Sequence, residues 1–371
     1  MNSINKSKRQ SWVDYARGIA IILVLYRHVF EGIKNAGLPV NNYLYLEHSN
    51  IIFFSFRMPL FFIVSGIFVA ASFSKRGMEK FVKTKMKSIL YPYFLWGSLQ
   101  ITLQIIFSKY VNNPPQPKDY IYLLYLPREI EQFWYLYALF NVTVLYVILK
   151  YKAGLKSWQH IVLGLIMFYV SALCYQRNII IGFLGDILHY YVFIALGDMI
   201  HKFMKKQENI RWFQSWNLFF ILLIPFIITQ SYFLYANMQF PNSKYQHVEY
   251  FQPFLFLPIS LTGCTFIICI SFLFQRYARA DWLRILGKHS LYIYVAHVLV
   301  FASVRVFMIR VLHITNIPIL MIICIFFGLL VPVLLFKLSV RLNMQWIFSL
   351  EDKEQNPANA KMNVAQTNST S

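Results

Sequence analysis

Charge is what this chain has least of. Only 13% of its residues are Asp, Glu, Lys or Arg, about half the share of a soluble domain. No soluble core accommodates the 58% of apolar residues that take their place, or the 35 Phe, 25 Tyr and 8 Trp among them. That excludes a secreted soluble enzyme, a nucleic-acid-binding domain and a disordered chain. Strand-like alternation is missing as well. The apolar runs are continuous over spanning length, so the spans are helices rather than barrel strands. Acids are scarcer than bases, 15 against 35, which leaves a formal net charge of +20. In a soluble protein that excess implies polyanion binding; here it belongs to the Lys and Arg of cytoplasmic loops. There are only four cysteines, Cys174, Cys264, Cys269 and Cys324, all in apolar runs without C-x-x-C spacing. They read as packing residues. No P-loop, G-x-G-x-x-G, H-E-x-x-H or internal repeat is present; the missing P-loop argues against an ATP-driven pump. The histidines lack ligand spacing, so no metal is expected. No small-residue cleavage site follows the first apolar run, which therefore reads as a retained span.

Ten apolar stretches have spanning length: about 13–33, 50–73, 89–108, 133–150, 158–175, 179–198, 216–235, 254–275, 287–309 and 316–337. The expected fold is an all-α polytopic membrane bundle. With the N-terminus inside, 24 Lys and Arg fall in inner segments, led by the 74–88 run. Only seven fall outside: Lys34, Lys109, Lys118, Arg128, Arg177, Lys244 and Arg310. That asymmetry places both termini in the cytoplasm. The expected organisation is an inner N-terminal segment at 1–12, a membrane domain at 13–345 and a disordered polar tail at 346–371.

Ionisable groups inside apolar runs need a partner or a purpose. On the first span, Asp14 and Arg17 are three apart and share a face. Arg17 and His28 are eleven apart, which returns to the same face within about 20° and about 16 Å along the axis. Glu31 lies near that face. The structural alternative is an interhelical charge network, with Asp14 and Arg17 as interfacial anchors. On the second span Arg57 precedes Pro59, and Ser65-Gly66 follows; a helix loosened this way can line a cavity, whereas Arg57 near the end of a span can also snorkel. On the ninth, Ser290, Tyr294 and His297 share one face, a pattern equally suited to an interhelical hydrogen bond. Glu129 and Glu131 beside Trp134 and Tyr135 fit an interfacial aromatic belt or a functional mouth.

At these residues the chain resembles the membrane acyltransferase 3 family, integral-membrane O-acyltransferases that modify bacterial glycans. The resemblance rests on Asp14, Arg17 and Gly18; on Arg17, ten residues, then His28; on Phe56, Pro59, Phe61, Phe62, Ser65 and Gly66; on Phe133-Trp134; and on Gly287, Ser290, Tyr294 and His297. These motifs run in order from about residue 12 to residue 300. The nearest branch is the fucose 4-O-acetylase-like one. Lys83, Lys85 and Lys87 stand where members of the family usually carry arginines, and lysine does not reproduce a bidentate phosphate contact.

The resemblance implies transfer of an acyl group, most often acetyl, from acyl-CoA to a hydroxyl of a cell-surface or exopolysaccharide sugar. Acyl-CoA is then a donor substrate and no cofactor is bound. The expected partners are the lipid bilayer, acyl-CoA and a glycan or lipid-linked sugar, without nucleic acid, and the expected location is the cell inner (plasma) membrane. A sugar hydroxyl needs a general base, and histidine titrates nearest to working pH; His28 is the candidate. Arg17 would hold the donor or steady developing charge. Asp14, Arg57, Ser65, Ser290, Tyr294, His297, Lys83 and Lys87 are candidate donor- or acceptor-binding residues. The competing class is a transporter or flippase for a polysaccharide or lipid-linked sugar, which also uses many spans and buried Arg and His. A purely structural membrane subunit would not carry a charged stripe on its first span.

Overall fold

A computed structural model describes residues 11–350 except 113 and 205. The tail expected at 346–371 lies almost wholly outside the described residues, as does most of the inner N-terminal segment. Among the described residues, ten long helices answer the ten expected stretches. They are α1 (Ser11–Asn35), α2 (Leu44–Lys85), α3 (Tyr91–Ile106), α4 (Trp134–Tyr151), α5 (Ser157–Gln176), α6 (Phe183–Phe203), α7 (Trp216–Met238), α8 (Pro253–Tyr277), α9 (Ser290–Arg310) and α10 (Ile317–Arg341). No strand occurs among the described residues. Among the described residues, eight helical stretches are long and apolar enough to cross a membrane. The count is eight because Val40–Ile106 runs as one continuous stretch and because α1 is not among them. That helix carries Asp14, Arg17, Arg27, Glu31 and Lys34, too many charges for a segment that faces lipid. It is buried instead: Trp12, Ala16, Ile21, Leu25, Val29 and Ile33 are in the core.

The basic 74–88 segment, expected as a loop, is helical except at a break at Gly77 (φ 72°, ψ 174°). Its Lys, Met and Glu side chains are good helix formers, and the glycine alone supplies the positive φ. A π-helical turn at Met86–Leu90 then leads into α3, which puts Pro92 in the first turn, where its missing N–H costs nothing. The sixth span starts later than expected, because residues 177–182 form a turn that ends on Gly182 (φ 57°).

Helix α2 is the centre of the bundle, packed against α1, α4, α6, α7 and α8. It meets α6 with almost no space between backbones: a Cβ on Gly66 would lie 2.4 Å from the Ile194 carbonyl oxygen. Small residues let membrane helices approach in this way. Large apolar side chains stay exposed along α7 (Phe220, Ile221, Ile224, Ile228) and α10 (Ile322, Phe326, Leu334). Those faces fit lipid.

Candidate functional site

The C-terminal half of α1, the first turns of α2, the end of α3, the 127–133 turn, the 238–249 segment and the C-terminal half of α9 surround one cavity of about 1260 Å³. Polar and charged side chains face it where a spanning bundle is ordinarily dry, and it holds His28, Glu31, Arg57, Pro59, Glu131, Trp134 and Tyr294 of the residues singled out from the sequence.

His28 is half-buried, and its ring centroid lies 5.3 Å from that of His297. His297 is fully buried. Its Nδ1 sits 2.8 Å from the Tyr294 carbonyl oxygen and 3.1 Å from that of Ile293. Two carbonyl acceptors there require Nδ1 to carry the proton, so Nε2 keeps a lone pair, and Nε2 has no partner. The neighbouring Tyr294 donates its hydroxyl to the Gln132 carbonyl.

Arg57 is 1% exposed. Its Nη1 donates to Asn50 Oδ1 (3.2 Å), and Asn50 Nδ2 donates in turn to Glu31 Oε1 (3.2 Å). This burial disposes of the snorkelling alternative. A second relay crosses from the 127–133 turn to α3: Gln132 Nε2 donates to Gln100 Oε1 (2.7 Å), and Gln100 Nε2 to Glu131 Oε2 (3.3 Å). Glu131 is held at φ 48°, ψ −121°, an unfavourable backbone conformation for a side-chain-bearing residue. It faces the cavity, as does Trp134. Outside the spans, Tyr245 donates to Glu47 Oε1 (2.7 Å), and burial together with that carboxylate pushes its phenol above the usual range.

The remaining expected site residues are not on this wall. Arg17 does not line the cavity with His28. Both face inward, but the cavity occupies the other end of the bundle, and the axial distance along α1 separates them. The Arg17 guanidinium lies 5.6 Å from the Phe68 ring centre, and both Arg17 and Ser65 adjoin the Tyr135 phenol. The Tyr135 ring is 5.2 Å from that of Tyr294, so it stands between the two polar regions. Asp14 is buried, with its carbonyl against Gly287 of the short helix Asp281–Lys288. Gly287 therefore serves the crossing of that helix with α1. Ser290 opens α9 beyond the cavity. Lys83 is exposed and Lys87 half-buried, and neither lines the cavity.

Sequence reasoning missed Gln100, Gln132 and a cluster where α6 meets the 127–133 and 247–251 segments, in which Asp186, His189 and Glu249 are buried and Arg128 is exposed. There Arg128 Nε is 2.7 Å from Asp186 Oδ1, and His189 Nε2 is 3.0 Å from Glu249 Oε1. Asp186 and His189, three apart within an apolar run, were the available signal. Among the described residues no group of three His, Cys, Asp or Glu is placed to hold a metal ion.

A family model described as an acyltransferase domain (Acyl_transf_3) matches residues 10–337. The nodulation protein NolL of Mesorhizobium japonicum is 25% identical over 214 residues, which is 57% of this chain and 52% of that protein. The chain thus spans about half the length of this curated relative. No solved structure matches.

Proposed function

This chain belongs to the acyltransferase domain family, and from that membership we propose that it is an integral-membrane O-acyltransferase. It moves an acyl group, acetyl in this reading, from acyl-CoA to a hydroxyl of a cell-surface or exopolysaccharide sugar. Both termini are cytoplasmic in the same reading, and the membrane is the inner (plasma) membrane; the Lys and Arg asymmetry of the loops supports this. The domain division at 1–12, 13–345 and 346–371 goes with it.

The observation that carries the reading is His28 on the wall of a cavity roomier than the roughly 300–1,000 Å³ of ordinary ligand sites. His28 takes the proton of the acceptor hydroxyl as its oxygen attacks the thioester carbonyl carbon. The C–O bond forms, the C–S bond breaks, and the coenzyme leaves as a thiol once the proton is returned. His297 and Tyr294 fix the wall beside His28, and Arg57 positions donor or acceptor. Arg17, Asp14, Ser65 and Ser290 belong to the opposite half of α1, α2 and α9, and Lys83 and Lys87 to the basic segment after it. These are assigned to the donor, which is cytoplasmic and polyanionic and is drawn by positive charge.

The test is mass spectrometry of surface glycans from cells with and without the protein. The expected result is one acyl mass per modified sugar that disappears with the gene and returns with the wild-type chain. Unmodified glycans in both, together with altered glycan export, would replace this reading with the transporter.

A further inference from the structure

Two arginines on the cavity wall share one aromatic ring. The guanidinium carbons of Arg27 and Arg57 lie 5.5 and 5.2 Å from the Phe54 ring centre, close enough for the two charges to repel. Arg57 is buried, where such repulsion is stronger than on a surface. No carboxylate is ion-paired with either among the described residues. The nearest acid, Glu31, bonds to Asn50, which then bonds to Arg57, so its compensation arrives through an intermediary. The other acids of the cavity are engaged elsewhere: Glu47 with Lys34 and Tyr245, Glu131 with Gln100, Glu249 beside His189. Arg57 is 1% exposed, and its Nη2 has no hydrogen-bond partner. A buried guanidinium donor left empty is costly, and a pair of them offers the fork geometry that carboxylates and phosphates fit.

We propose that Arg27 and Arg57 form an anion subsite that reads a carboxylate or phosphate carried by the acceptor. The proposal rests on the acyl-transfer reading above. Arg27 precedes His28 in the chain, and both line the same cavity, so an acid held by the arginines puts its own sugar within reach of the base. The donor's phosphates fit less well. The cavity wall extends to Tyr110, Asn112, Lys244 and Gln246, in the loops that the charge asymmetry assigns to the side opposite the cytoplasm.

The test is the melting temperature of the full-length protein in detergent, titrated with glucuronate, glucose 1-phosphate, glucose or coenzyme A. An upward shift with glucuronate assigns the subsite to a sugar carboxylate, and one with glucose 1-phosphate to a phosphate; glucose is expected to give none. Arg27→Gln removes a half-buried charge, and it should weaken the effective anion by ~10-fold or more. Lys118→Gln removes an exposed charge outside the cavity and should leave the titration unchanged. Equal shifts with glucose, a shift with coenzyme A alone, an undiminished shift in Arg27→Gln or an equal loss in Lys118→Gln would each overturn the subsite. Glucuronate binding through Arg27 with no acyl transfer to any glycan would strike the acyl-transfer reading instead.

Discussion

Truncating His28 to alanine separates chemistry from folding more cleanly than any other change in the cavity. The ring stands on the wall of an existing void, and its near contact is the ring of His297. The deletion enlarges a cavity already present rather than opening one in close-packed core. It strands no charge, and the lone pair on His297 Nε2 is already without a partner. The stability cost should therefore stay below the 2–5 kcal/mol typical of core truncations, at roughly 1 kcal/mol. The chemical cost is larger. Losing a general base slows a reaction by about 10²–10⁴, or roughly 2.7–5.5 kcal/mol of transition-state stabilisation. The assay is acylated glycan per unit of membrane-inserted protein, with thermal melting of the purified variant alongside. The expected outcome is near wild-type abundance and melting with product reduced at least about 100-fold. Near wild-type product at matched abundance would refute the assignment of His28 as base.

Gly287→Ala would place a Cβ 1.6 Å from the Asp14 carbonyl oxygen; neither backbone yields cheaply, so overpacking of about 1–3 kcal/mol should appear as a lower melting temperature. Tyr294→Phe removes the hydroxyl donated to the Gln132 carbonyl. The expected loss is about 1 kcal/mol of stability, with product falling further than stability because the Gln132–Gln100–Glu131 relay loses its anchor. Reporter fusions after Lys206 and after Lys244 should lie on opposite sides of the membrane, and the same side for both would refute the topology.

Much of this architecture was legible in the sequence because a bilayer permits few solutions: backbone polar groups must be satisfied internally, so long apolar runs become helices. The ten stretches, the inward-facing charged stripe of α1 and the inward position of His28 all follow from run length and helical period. Periodicity gives the face on which a side chain lies. It gives neither the depth at which the bundle opens nor which helix stands opposite. Arg17 and His28 share a face, yet the cavity around residues 24–35 is lined by His28 and not by Arg17, because the axial distance along α1 separates them. The Gln100–Gln132–Glu131 relay, the Arg27–Phe54–Arg57 stack and the Glu249–His189 contact join segments about 30 to 60 residues apart only where the tertiary structure brings them together. Close helix crossings at glycines fix those meetings, because backbone contact leaves no freedom to slide. Hydrophobic pattern alone therefore determined which segments enter the membrane, and only three-dimensional packing decided which polar groups meet inside it.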